Sequence, residues 1–334
     1  MTLALPQHDP APQHDPAPQH DPAPRRDSAP RPAAGRTPGQ GVDPGALPSR
    51  PRVLSIAGTD PTGGAGIQAD LKSFAAHGAY GMAVTTALVA QNTHGVRSVH
   101  VPGPAFLREQ LDAVSDDVEI DAVKIGMVAD EANAREIGAW LDALAAARSD
   151  GALPRPWVVL DPVMVATSGH RLLDPGAEQA VRDLAARADV VTPNLPELAV
   201  LAGREIATTW DDALAQAGSY ATASGAVVLL KGGHLTGATS PDALVVPAGP
   251  APDGAPTVTT FDAERVDTPH THGTGCSLSA ALAALRPQRE SWEDAAREAK
   301  EWLTGALRGG AALRVGTGRG PVDHLHASSP VVPR

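Results

Sequence analysis

Five consecutive residues, His272-Gly273-Thr274-Gly275-Cys276, put groups capable of neutral-pH chemistry side by side. They follow a short extended segment, Phe261 to Val266, and lead into an alanine-rich apolar run, Ser277 to Leu285, that reads as a helix. A glycine-rich turn at a helix start leaves backbone N–H groups unpaired, and the helix dipole adds roughly half a positive charge there. Such a turn takes an anion, typically phosphate. Cys276 is the only cysteine of the chain. A helix N-terminus favours thiolate, lowering a cysteine pKa from ~8.5 into the range ~3.5–7.5. The turn is therefore expected to offer an anion cradle and a base together; the plainer alternative is a helix start with an inert, buried thiol.

A second glycine-rich stretch, Gly58-Thr59-Asp60-Pro61-Thr62-Gly63-Gly64-Ala65-Gly66, follows the strand-like Val53 to Ala57. It precedes a helix whose Ile67, Leu71, Phe74 and Ala75 share one face and which Gly78 stops. A Walker A loop would need a terminal Gly-Lys-Ser/Thr, and this loop has no lysine. Gly64-Ala65-Gly66-Ile67-Gln68-Ala69 fits the loose dinucleotide pattern, but no acid follows in Met82 to Ala90, where that pattern needs one. Asp70 in the first helical turn suits either a ligand or the helix dipole. Gln91 and Asn92 lie just after the second strand; a glutamine there matches the ring nitrogen and amino group of a heterocycle, or is an ordinary polar loop residue.

The elements that must position these groups alternate. Ala122 to Met127 is a short strand ending at Gly126, and Asp130 caps a helix to about Arg148 with Ile137, Trp140, Leu141 and Leu144 inward. The strand Trp157 to Leu160 ends in Asp161, a carboxylate at the ligand edge of a sheet. Asp174-Pro175 opens a helix to Arg187. The strand Asp189 to Thr192 runs into Asn194, which starts a helix ended by Gly203, with Glu197 in its first turn. Glu197 suits a Mg²⁺ site, usually through water, or plain dipole compensation. A helix from Asp211 to Ser224 and a strand from Ala226 to Leu230 end in Lys231-Gly232-Gly233-His234, with Lys231 a phosphate partner. Ala243 to Val246 and Thr257 to Phe261 read as a hairpin across the Pro/Gly-rich loop Pro247 to Pro256, which argues against an eight-fold βα barrel. Ser291 with Asp294 caps a last helix that buries Trp292, Ala295, Ala299, Trp302, Leu303 and Ala306.

Composition bounds the partners. Thirty-eight acidic against twenty-seven basic residues give a net charge of −11, so neither nucleic acid nor an anionic membrane is expected to bind. A single cysteine fits a reducing cytoplasm, and no apolar run reaches the ~18 residues of a membrane span. Residues 1–50 carry a repeated Pro-Gln-His-Asp-Pro-Ala unit and almost no large apolar side chains. They read as a disordered tail, with His8, His14 and His20 too loosely spaced for a strong metal site.

In order, the segments Ala57 to Gly66, Ala90-Gln91-Asn92-Thr93, Lys124-Ile125-Gly126-Met127, Thr192 to Glu197, Lys231 to His234 and His272 to Cys276 resemble the hydroxymethylpyrimidine/phosphomethylpyrimidine kinases of thiamine biosynthesis. The resemblance implies a ribokinase-like three-layer αβα sandwich with a mostly parallel sheet over residues 51–328. It also implies an enzyme that uses ATP and Mg²⁺, usually a homodimer. The family phosphorylates 4-amino-5-hydroxymethyl-2-methylpyrimidine and then its monophosphate. Carried over, Gln91 binds the aminopyrimidine, in a pocket lined by Gly58, Asp70, Val89 and Met127. Asn194 and Glu197 match the Asn-x-x-Glu that organises Mg²⁺ and phosphate, with Asp161 beside them. Lys231, Gly233 and the Gly273-Thr274-Gly275 turn hold the ATP phosphates. Cys276 stands where sugar kinases of the superfamily have an aspartate base.

Three rivals share parts of this pattern. A pyridoxal/pyridoxine kinase would run the same ATP machinery on another ring. A nicotinamide-dependent oxidoreductase rests on the loose glycine pattern. A cysteine acyl-transfer enzyme would pair Cys276 with His270 or His272, although no nucleophile-elbow pattern surrounds the thiol.

Overall fold

The computed structural model describes residues 49–148, 154–164, 178–233, 235–248 and 254–328, all within one compact unit, Leu47–Arg334. The chain runs β1 (Arg52–Ala57), α1 (Gly66–Ala76), β2 (Tyr80–Thr85), β3 (Leu88–Asn92), β4 (Gly95–His100), α2 (Pro104–Ser115), β5 (Ala122–Ile125) and α3 (Glu131–Ala147). It continues β6 (Trp157–Leu160), α4 (Glu178–Ala185), β7 (Val190–Val191), α5 (Leu195–Ala202), α6 (Trp210–Ser224), β8 (Val227–Lys231), β9 (Asp242–Val246), β10 (Thr257–Phe261), α7 (Thr274–Leu285) and α8 (Trp292–Gly309). The main sheet has the order β10-β9-β8-β7-β6-β5-β1-β2. It is parallel from β2 through β8, and antiparallel only where β9 pairs β8 and β10 pairs β9. This is the open three-layer αβα sandwich expected, not a closed barrel.

Strand alternation explains the two helical layers. Leu54, Ile56, Val123, Ile125, Val158 and Leu160 join a core with α2 to α6, while Val53, Ala122, Val159, Val190 and Leu229 join α7 and α8 on the other face. Side chains two apart along a strand share a face. The next residues on the α7 side are therefore Ser55, Lys124, Asp161, Thr192 and Lys231, so five strands turn from apolar to polar toward their C-terminal ends, Ser55 level with Lys124, Asp161 with Thr192, and Lys231 furthest along. These ends make the C-terminal edge of the parallel sheet, where ligands bind in open α/β folds.

Caps set several helix starts. Asp130 accepts from the Asn133 amide, Thr209 from Asp212 and Ser291 from Asp294. Asn194 and Glu197 form a reciprocal capping box, and Gly203 ends α5 in the left-handed region at φ 61°. Two expectations change. The run from Met82 to Ala90 is not one strand: it breaks at Thr86, whose buried hydroxyl donates to the Met127 carbonyl. Gln91 and Asn92 then lie within β3, which pairs only with β4 in a separate two-stranded sheet. A continuous apolar run carries no turn residue to betray such a break. The apolar helix after the turn begins at Thr274, so Cys276 sits inside its first turn. The tail over residues 1–48, the Asp174-Pro175 helix start and His234 fall outside the described residues.

Candidate active site

The strand-end polar level opens into a cleft of about 1100 Å³. Of the site residues carried over from the family resemblance, all line it with one exception. At one end, Gly58, Val89 and Met127 form an apolar wall: a Cβ on Gly58 would lie 2.3 Å from the Met127 methyl, so a side chain there would push that methyl aside. The β3–β4 ladder shifts register between Ala90 and Gln91. A bulge of this kind re-aims a side chain, and Gln91 lines the cleft. The exception is Asp70. It is fully buried, accepts from Lys124 Nζ at 2.8 and 2.9 Å and from Ser55 Oγ at 2.6 Å, and does not line the cleft. Nor does it serve the helix dipole, because the first turn of α1 contains no acid.

In the middle of the cleft, Lys231 Nζ lies 2.8 Å from Asp161 Oδ1 and 3.7 Å from Glu197 Oε2. Asp161 also accepts from Thr192 and Ser279, so it serves first as the counter-charge of Lys231. Glu197 accepts from the Asn194 amide, as dipole and capping logic anticipate. Burial and the negative charge of Asp161 still push its carboxyl up to about 7, against the pull of Lys231. Among the described residues, no group of three or more His, Cys, Asp or Glu is placed to hold a metal by itself.

The α7 turn closes the cleft. Gly273 adopts φ 81°, and a Cβ there would fall 1.7 Å from the Gly64 carbonyl oxygen. No side chain caps this helix, and Gly273, Thr274, Gly275 and Cys276 all line the cleft, the Thr274 amide donating back to the Thr271 carbonyl at 3.4 Å. Gly275 keeps the space open, since its Cβ would meet Lys231 Nζ at 3.5 Å and Asp161 Oδ2 at 3.6 Å. Ser277 braces the turn from behind, donating to the Gly273 carbonyl at 2.7 Å and meeting His324 Nε2 at 2.8 Å. From the side, Asp60 gathers the amides of Thr62, Gly64 and Ala65, the Thr62 hydroxyl, and His272 Nε2 at 2.8 Å. His272 is thus committed to Asp60, which removes it as the partner that an acyl-transfer cysteine would need.

The thiolate expectation is overturned. Cys276 is half-buried and free. Its removal from solvent pushes the thiol up to about 11; Lys124 and the Gly66 amide pull it down, while Asp70 and Asp161 push it further up. Sequence reasoning also passed over Lys124 as a chemical group; its one signal was a lysine inside the apolar strand Ala122–Ile125.

The sequence model of the phosphomethylpyrimidine kinase family matches residues 60–323. The hydroxymethylpyrimidine/phosphomethylpyrimidine kinase of Salmonella typhimurium is 48% identical over 279 residues, covering 83% of this chain and 98% of that protein. The chain belongs to this kinase family. The thiamine biosynthesis multifunctional protein ThiED of Corynebacterium glutamicum is 54% identical over 281 residues, covering 84% of this chain. This chain spans only about a third of that protein's length, 34%. Among solved structures, the pyridoxal kinase of Staphylococcus aureus in complex with AMP-PCP and pyridoxal superposes with a TM-score of 0.71 at 30% identity, over 84% of this chain and 96% of that one. The kinase family membership accounts for the ordered glycine turns and their meeting in one cleft. No helix among the described residues is long and apolar enough to cross a membrane.

Proposed function

We propose that the chain is a cytoplasmic kinase that uses ATP and Mg²⁺ to phosphorylate 4-amino-5-hydroxymethyl-2-methylpyrimidine and then its monophosphate, in thiamine biosynthesis. The observation that carries the reading is that one cleft contains both halves of such a reaction: the apolar pocket with Gln91, and the lysine-flanked α7 turn with Cys276. The kinase unit is assigned to residues 51–328, with the repeat segment 1–50 outside it.

The residues fit the two absent groups. Uncapped amides and Lys231 suit phosphate oxygens, and the space kept by Gly275 admits them. Glu197, pushed up to about 7 by burial and a neighbouring carboxylate, marks negative charge that a divalent cation would relieve. Mg²⁺ commonly keeps its waters and takes one or two carboxylates besides phosphate; Glu197 would hold it through water, with Asp161 balancing Lys231. When bound, ATP supplies the phosphoryl group and Mg²⁺ neutralises its charge. The protein's own share is positioning. Gln91, Gly58, Val89 and Met127 orient the ring, Asn194 fixes Glu197, and Gly233 extends the Lys231 loop. The Gly273-Thr274-Gly275 amides stabilise developing negative charge. Cys276 receives the hydroxyl proton in the first reaction, whereas the second acceptor is already anionic.

A pyridoxal/pyridoxine kinase is the second reading, favoured by the superposition on a pyridoxal-bound relative. A coupled ADP-release assay with hydroxymethylpyrimidine, its monophosphate and pyridoxal separates the two. Turnover of both pyrimidines with kcat/KM well above that for pyridoxal is expected; the reverse ranking overturns the assignment. The dimer belongs to the same proposal, and the exposed apolar side chains Leu88 and Val99 of the β3–β4 hairpin support it. Sedimentation at micromolar concentration checks it.

A further inference from the structure

One buried ion pair has no part in the mechanism above. Lys124 and Asp70 are both completely inaccessible, with Nζ bonded to both carboxylate oxygens at 2.8 and 2.9 Å and Ser55 completing the group. A sealed pair of this type is poor stabilisation, because desolvating two charges offsets most of their attraction. Well-packed apolar residues would serve the core at least as well.

Its location is informative. Ser55 and Lys124 are register partners on β1 and β5, on the face that α7 covers, and α1 brings Asp70 to the same spot. The ammonium also lies against the glycine at the strand's end: a Cβ on Gly126 would come within 2.8 Å of Nζ. α7, whose first turn carries Cys276, packs on both β5 and α1; the ammonium acts on this thiol and on Asp161, and thiol and ammonium shift each other. Four charges face the thiol in all: Lys124 from β5, Asp70 from α1, Asp161 from the end of β6 and Lys231 from β8.

We propose that Lys124 is the positioning residue for the Cys276 base. Its ammonium, sealed beneath α7, is the counter-charge that lets Sγ become negative, and Asp70 sets how much of that charge the thiol receives. This rests on the reading of Cys276 as proton acceptor. To act, the thiol gives up its proton to water; the S–H bond forms again when the hydroxyl proton arrives, so no further reactant is needed. The sealed pair is then a fixed electrostatic setting for the base, which never touches substrate.

The test uses the single cysteine of the 334-residue chain. Iodoacetamide alkylates the thiolate, so below the thiol's midpoint the rate at fixed pH changes about tenfold for each unit the midpoint moves. Asp70→Asn is expected to speed alkylation at pH 8.5 by about tenfold. Lys124→Met is expected to slow it by about tenfold or more. Should the unpaired Lys124→Met variant fail to fold, the uncharged pair Asp70→Asn/Lys124→Met replaces it. Against Asp70→Asn alone, the double variant must alkylate at least about tenfold more slowly. Rates that move in the same direction, or stay within about twofold, overturn the proposal, since a purely structural pair gives no opposite signs. The base reading fails separately, if Cys276→Ala slows the alcohol and phosphate acceptors equally.

Discussion

Two lysine–aspartate pairs, with their lysines on β5 and β8, differ in access. Lys124–Asp70 is sealed, at 0% exposure for both side chains, whereas Lys231–Asp161 opens to the cleft through the lysine, at 15%. Burial pushes the first carboxyl, Asp70, up despite its lysine. In Asp161 burial acts the same way, but Lys231, Lys124 and the Thr192 hydroxyl overcome it and hold the carboxyl below the usual range. The lesson concerns access. A lysine that keeps a face on the cleft can meet a ligand oxygen, while a sealed one acts only through its neighbours. Substitutions at the open pair and its neighbours should alter turnover directly; substitutions at the sealed pair should alter the chemistry of Cys276.

The largest effect is expected at the thiol both pairs surround. Cys276→Ala should lower kcat for the alcohol by about 10²–10⁴, the usual span of general-base catalysis, with a far smaller loss for the monophosphate. The pH profile sharpens this. With the thiol pushed up to about 11, the thiolate fraction grows tenfold per unit between neutrality and that value. Alcohol turnover should therefore climb with pH well above 8, and monophosphate turnover should not. Separate rate measurements on the two acceptors check both statements.

Next comes the open pair. Lys231→Met removes the cation beside the phosphate turn and should lower kcat by about 10²–10³ for both acceptors alike, the typical cost of one electrostatic donor. A loss confined to the alcohol would place Lys231 with Cys276 instead of with the transferred group. Asp161 is left unpaired in this variant, so a circular-dichroism melt must accompany the kinetics.

A smaller effect is expected at Asp60, which joins the first glycine loop to the anion turn. Burial pushes its carboxyl up, but the His272 and Thr62 bonds outweigh burial and hold it well below the usual carboxylate range. A depressed folded value stabilises the protein above the unfolded value, near ~3.9, and the contribution disappears as pH falls toward the folded value. Asp60→Asn should cost about 2 kcal/mol at pH 7, the order of a hydrogen bond to a charged group. The gap from wild type should narrow below about pH 4. Thermal unfolding at pH 7 and pH 3 reads it.

The sequence showed the sheet and the glycine turn at the start of α7 well because both are local. Alternating Val53/Leu54 and Ala122/Val123 pairs, the Asn194–Glu197 box and Gly203 each act within a few residues. The split at Thr86 was hidden because it depends on a bond to Met127, 41 positions away. Asp70 and Cys276 were misread for the same reason. Helix-start position is a local fact, but their charge states depend on burial and on Lys124 from another strand. Long-range desolvation leaves almost no trace in a single stretch of chain.

The mildest change tests the apolar end of the cleft against its charged middle. Gln91 reaches the cleft because the β3–β4 ladder slips at Ala90, not because a loop leaves it there. A hairpin-borne side chain is held by its ladder, so its amide can be aimed at one ring edge. Losing that amide leaves the ring's polar edge unpaired, a cost of about 1–3 kcal/mol. Gln91→Ala should then raise KM for the pyrimidine alcohol by about 10- to 100-fold. The ATP KM should hold within about twofold, because Lys231 and the α7 turn belong to other elements. Equal shifts in both constants would mean that the hairpin, through its register, shapes the whole cleft, and Gln91 would lose its place as the ring-reading residue.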